Sequence, residues 1–145
     1  MIKFDKSSKY RVFSNFEPCT IRYGGLIYPS VEAAFQAQKT LDENERLEFT
    51  RLTASQAKKK GRTLKLRDDW EDVKVQVMYD LCLEKFRYES ELKDLLLETG
   101  DEEIVENTTA WHDNIWGNCD CLKCSGIIGQ NLLGKVLMRV RDDIK

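Results

Sequence analysis

The stretch YPSVEAAFQAQK, residues 28–39, decides how the rest of the chain is read. Pro29-Ser30 is a helix-start signal, and a helix from Ser30 to about Thr40 should follow. At 3.6 residues per turn, Val31, Ala34 and Phe35 gather on one side as a core stripe. Ala33 and Ala37 take the opposite flank, where small side chains let neighbouring backbone come close. Glu32, Gln36 and Lys39 fall on one narrow arc at i, i+4, i+7 spacing. A solvent-facing helix spreads its charge more widely, so this one is expected to be packed nearly all round, with one polar strip turned to a cavity. A plainer account also holds. The helix dipole favours an acid in the first turn and a cation near the end. Wheel geometry leaves both accounts open.

Working outward, YRVFSNFEPCTIRYGGLIYPS (residues 10–30) is dense in aromatic and β-branched residues, and Gly24-Gly25 between TIRY and LIY predicts a short hairpin. NERLEFTRL (44–52) reads as a second short helix and SQAKKKGR (55–62) as a third, ended by Gly61. WEDVKVQVMYDLCLEKF (70–86) is the longest helix: Trp70, Val73, Val77, Met78, Leu81 and Cys82 recur at helical spacing, with Asp69 placed to cap it. ESELKDLLLETG (89–100) is another, closing on Gly100. EEIVENT (102–108) reads as a single strand, AWHDNIWGNCDCLKCSGIIG (110–129) as a long irregular loop, and NLLGKVLMRVRDD (131–143) as an amphipathic helix. The expected fold is α+β: a mainly helical single domain over residues 1–145 with a small β-sheet.

The 145 residues are enough to bury a core without staples. Hydrophobic residues at 41% and charged residues at 33% are the balance of a globular protein. A net charge of −2 supplies no global field toward nucleic acid or anionic membrane. No apolar run is long enough to span a bilayer. The start, MIKFDKSSKY, has no signal-peptide pattern, so a cytoplasmic location is the expectation. Cys19, Cys82, Cys119, Cys121 and Cys124 are an odd number, which argues against a disulfide framework.

VFSNFEPCTIRYGGLIYPSVEAAFQAQK (12–39), the central tryptophan, WHDNIWG (111–117) and GQNLLGKVLMRVR (129–141) together resemble the NADAR family, also called YbiA-like proteins. The likeness runs from about Val12 to Arg141. It implies a YbiA-like fold and hydrolysis of N-glycosidic bonds. Two substrate classes go with the family: phosphorylated ribosyl-amine intermediates of riboflavin biosynthesis, and ADP-ribose on guanine bases, toward which the reading leans. The family's acid falls on Glu32, its central tryptophan on Trp70, and a second acid on Asp113. No cofactor, membrane or obligate protein partner is implied. The competing reading is a non-catalytic module that binds ADP-ribose or NAD.

The residue types suit the chemistry. Breaking a C1′–N bond passes through an oxocarbenium-like state, which needs negative charge beside the sugar and a proton for the leaving nitrogen. The helix dipole favours Glu32 as the base or stabiliser, and apolar loop surroundings favour Asp113 as the acid. Lys39 offers another route, its amine trapping an opened ribose as a Schiff base, or else a phosphate contact. Asn15, Phe16, Gln36, Trp116 and Gly117 are candidate substrate contacts, and Trp70, Trp111 and Trp116 candidates for stacking on a base. Asn131 heads the last helix, whose free N–H groups would hold a phosphate, or it is a plain N-cap. CDCLKC places Cys119, Cys121 and Cys124 at C-x-C-x-x-C spacing. Zinc would want a fourth ligand, Cys19 or His112, if the fold brings one close. Plain reduced thiols and no metal are the expectation. KKKGR (58–62) is read as a solvated helix end.

Overall fold

The helix expected from Ser30 forms as α1, Val31–Ala37, and all 7 of its residues are buried. The computed structural model describes residues 1–5 and 7–145. Ser30 caps α1, its hydroxyl accepting from the Ala33 N–H at 3.0 Å. The helix ends sooner than expected, at a Gln38 C-cap. Lys39 lies beyond it, its carbonyl taking the Arg67 N–H at 2.8 Å. An isolated helix this short is marginal in water, so packing holds it. Fully burying a side chain such as Val31 or Phe35 contributes about 1.5–3 kcal/mol.

Contacts divide the chain into two units, Asn15–Tyr88 and Met1–Ser14 with Glu89–Lys145. In the first unit α1 is the centre. It packs chiefly against α3 (Ala54–Gly61), and also against α2 (Glu43–Phe49) and α4 (Trp70–Tyr88). Strands β2 (Ile21–Tyr23) and β3 (Leu26–Tyr28) form the expected antiparallel hairpin, with Ile21 opposite Tyr28. Its turn residues Gly24 and Gly25 have φ of 58° and 84°, the left-handed pair such a turn requires. Tyr23 anchors the hairpin to α4, its hydroxyl donating to Asp80 at 2.9 Å. Asp69 precedes α4, but its carboxylate holds the Arg67 guanidinium at 2.6 and 2.9 Å instead of serving as the expected cap.

In the second unit β1 (Ile2–Phe4) pairs in parallel with β4 (Ile104–Glu106), Ile2 opposite Ile104. β4 is the strand expected from EEIVENT. α5 (Ser90–Glu98) precedes it, and Gly100 follows that helix at φ 59°. α6 (Leu132–Asp143) packs on β4. Its buried Arg141 donates to the Thr99 hydroxyl at 2.9 Å and the Glu102 carbonyl at 2.8 Å. Between β4 and α6 the chain is irregular except for one 3-10 turn, Leu122–Cys124. The fold is mainly helical α+β, as expected, with its strands in two two-stranded sheets. No helix among the described residues is long and apolar enough to cross a membrane.

Candidate active site

In the α1 unit, the polar strip of the opening stretch is buried. Glu32 and Gln36 are 8% and 6% exposed. The Gln36 amide donates to Glu32 Oε1 at 2.8 Å, which orients the carboxylate from one turn further along the helix. The backbone of Asn15 accepts from the Glu32 N–H at 3.0 Å, so the SNF segment is fastened to the start of α1. The side-chain oxygens of Asn15 and Gln36 are both buried and lack a hydrogen-bond partner among the described residues. Leaving a buried acceptor unmet costs about 1–3 kcal/mol each. Gly61 makes the strip possible: a Cβ there would lie 1.9 Å from Gln36 Oε1. Only glycine lets α3 sit that close to α1.

Lys39 is half-buried just past α1. Burial pushes its ammonium below the usual lysine range, opposed by the Glu32 carboxylate and reinforced by Arg62 and Lys58. The run KKKGR is therefore not uniformly solvated. Lys60 pairs outward with Glu48 at 2.9 Å, whereas Lys58 lies over the Phe16 ring at 5.6 Å. Lys58 and Arg62 were not among the expected site residues, yet their charges act on Lys39. Helical spacing was the available signal, since Lys58 and Lys59 must point to different faces. Trp70 is 5% exposed and packs on Phe35 of α1, with ring centroids 5.0 Å apart. That is the geometry of a core residue behind the helix.

In the other unit, Asp113 Oδ1 accepts the N–H groups of Ile115 and Trp116 at 2.8 and 2.9 Å, closing a tight turn. Its carbonyl takes the Thr108 hydroxyl. Gly117 is buried, with Thr108 and the Glu106 carbonyl where a side chain would go, so it serves close packing on β4. Asn131 departs from both expectations. It has φ 50° and makes no side-chain cap. Its amide donates to the Ile104 carbonyl at 2.8 Å and its oxygen accepts the Glu106 N–H at 3.1 Å, stapling α6 to β4. Two of the first-turn N–H groups are also taken. Leu132 and Leu133 donate to the carbonyls of Ile115 and Trp116 at 3.1 and 3.0 Å. The expected phosphate cradle is filled by the loop itself.

Three of the five cysteines meet the only histidine. His112 Nδ1 lies 3.2, 3.3 and 3.8 Å from the sulfurs of Cys119, Cys121 and Cys124. Burial pushes the Cys119 thiol up to about 11, while the hydrogen bond from Cys119 draws Cys121 down to about 7. All five cysteines are free of disulfides.

A family model described as the NADAR domain matches residues 3–145. The N-glycosidase YbiA of Escherichia coli (strain K12) is 38% identical over 144 residues, covering 97% of this chain and 86% of that protein. An N-glycosidase of Nostoc punctiforme is 38% identical over 142 residues, covering 94% and 86%. A riboflavin biosynthesis protein of Vibrio vulnificus is 33% identical over 145 residues, which is 98% of this chain but 38% of that longer protein. Among solved structures, the NMR structure of Escherichia coli YbiA superposes with a TM-score of 0.85 at 38% identity, covering 99% of this chain and 83% of the other.

Proposed function

The chain belongs to the NADAR family and is a hydrolase of N-glycosyl bonds; from that premise we propose that it acts on a phosphorylated ribosyl amine, with Glu32 and Lys39 as its catalytic pair. The observation that carries this is the buried Glu32 carboxylate, held by Gln36 at 2.8 Å, with half-buried Lys39 just past the same helix. The charges of Glu32, Arg62 and Lys58 all act on that lysine. One acid among three cations suits a sugar that becomes cationic at C1′ and carries a phosphate elsewhere. Similarity over 98% of this chain to a 38% stretch of a longer protein named for riboflavin biosynthesis favours a ribosyl-amine intermediate of that kind.

Lys39 enters as the ammonium and gives its proton to the leaving nitrogen as the C1′–N bond breaks. The freed amine then bonds to C1′. Ring opening yields an imine, and water releases the sugar and regenerates the lysine. Glu32 balances the positive charge at C1′, takes a proton from the attacking amine and gives it to the ring oxygen as the ring opens. It then takes one from the water that attacks the imine and returns it to the departing lysine nitrogen. Asn15 accepts from a sugar hydroxyl, Gln36 holds Glu32 in place, and Phe16 borders the base. Trp70 sets the position of α1 from behind. Asp113 Oδ1 accepts two backbone donors, which gives its side chain a structural task in the turn at 113–116. The acid role therefore passes to Lys39, and Asp113 positions the turn that carries Trp116.

The test is to incubate the protein with the ribosyl-amine intermediate of riboflavin synthesis and, separately, with an ADP-ribosylated guanine oligonucleotide. Released amine and sugar phosphate in the first arm supports the proposal, and a borohydride-fixed sugar on Lys39 supports the imine. Release in the second arm alone would move the substrate to ADP-ribosylated guanine. Binding of ADP-ribose with turnover of neither would favour the non-catalytic module.

A further inference from the structure

We propose that His112, Cys119, Cys121 and Cys124 form a structural zinc site. Their four ligand atoms all lie within 4.8 Å of one another. A tetrahedral zinc with bonds of about 2.3 Å to sulfur and about 2.0–2.1 Å to nitrogen sets those atoms about 3.6 Å apart. The three distances from His112 Nδ1, 3.2 to 3.8 Å, bracket that separation. Cys119 is held in place by its N–H, which donates to the Asn114 side chain at 2.9 Å.

The backbone carries the same message. His112 has φ 59°, a left-handed conformation that costs about 1–2 kcal/mol for a residue with a side chain. Its N–H donates to the Thr108 carbonyl at 2.7 Å, and the result is an imidazole turned into the thiols. The segment has little core of its own: Ile115 is 45% exposed and Leu122 is 92% exposed. A loop with so little buried apolar surface gains its order from a cross-link, and three thiolates with an imidazole are a donor set zinc prefers. Four protein ligands leave no open position for water, so the site is structural. It fixes the loop that holds Asp113 and Trp116, and it stands independently of the proposed glycosidase chemistry.

The experiment is a metal analysis of protein purified in reductant without a metal-affinity step. One zinc per chain is expected, lost in Cys124→Ala and kept in Cys19→Ala. Chelating the wild type should lower its thermal midpoint by about 5 °C or more, with recovery on adding Zn²⁺ but not Mg²⁺. Cobalt loaded into the stripped wild type should show thiolate-to-metal charge-transfer absorption and the intense visible bands of tetrahedral coordination. Because the wild-type arms need no variant to fold, they decide the matter. Stripped wild type that retains no zinc after loading and desalting in reductant would overturn the proposal. So would bound iron in place of zinc, or equal metal loss in Cys19→Ala and Cys124→Ala.

Discussion

Gln36 holds Glu32 from one turn along α1: its amide donates to the carboxylate at 2.8 Å, while its own buried oxygen faces Gly61 without a hydrogen-bond partner among the described residues. The carboxylate is thus oriented by a side chain whose remaining polar atom waits for something else. The helix dipole alone accounts for neither feature.

Glu32→Gln keeps the shape and a hydrogen-bonding partner for Gln36 but removes the charge beside C1′. Turnover should fall on the order of 10²–10⁴-fold with no loss of thermal midpoint. Steady-state kinetics and a melt on the same preparation check both halves, and unchanged turnover would rule Glu32 out.

Gly61→Ala puts a methyl group 1.9 Å from Gln36 Oε1. The overpacking should cost about 1–3 kcal/mol in urea denaturation. Truncating Gln36 to Ala in the same chain should relieve it, so the double variant loses less than the two single losses together. Strict additivity would mean that the helices part without involving Gln36.

Burial holds the Lys39 ammonium below its ordinary value of 10.5. Below the folded-state value, the native protein carries a buried cation at a cost. That cost is relieved as pH rises from the folded value toward 10.5, because the unfolded chain then binds the extra proton. Lys39→Met should therefore be more stable than wild type at neutral pH, with a gain that shrinks toward pH 10.5. The same group predicts an alkaline fall in kcat/KM centred below 10.5, with turnover and the borohydride-fixed sugar both lost in Lys39→Arg.

Asn131→Ala removes two bonds to β4 and leaves an alanine at φ 50°. About 2–4 kcal/mol of stability should go, with KM unchanged for a phosphorylated substrate. A raised KM with stability intact would restore the phosphate reading.

Asp113→Asn can still accept the two backbone donors, whereas Asp113→Ala cannot. If Asp113 positions the turn, the asparagine variant should stay within about tenfold of wild-type turnover and keep its thermal midpoint, while alanine loses both. A collapse of turnover in a well-folded Asp113→Asn would return the carboxylate to the chemistry.

Local periodicity made much of the fold legible. The glycine turn, the Ser30 cap and the spacing in residues 70–86 each specify an element from neighbours in sequence. β1 was not legible, because three residues at the start pair with a strand about a hundred positions away. The same distance effect hid the role of Asn131, whose partners lie in β4. Cysteine spacing was visible as a motif, but His112 joins it only through a left-handed backbone that no pattern announces. Lys58 was masked by its own neighbours. A basic run looks uniform in one dimension, and the helix then sends Lys60 outward to Glu48 and Lys58 to Phe16.

The loop carbonyls that receive the N–H groups of Leu132 and Leu133 have a consequence for exchange with solvent. First-turn amides of a helix ordinarily lack an intrahelical acceptor and trade their hydrogens quickly. Here those two protons are protected only while the 115–116 segment stays in place. Their exchange rate in heavy water therefore reads out how often the loop opens, so the start of α6 serves as a built-in gauge of the loop's motion.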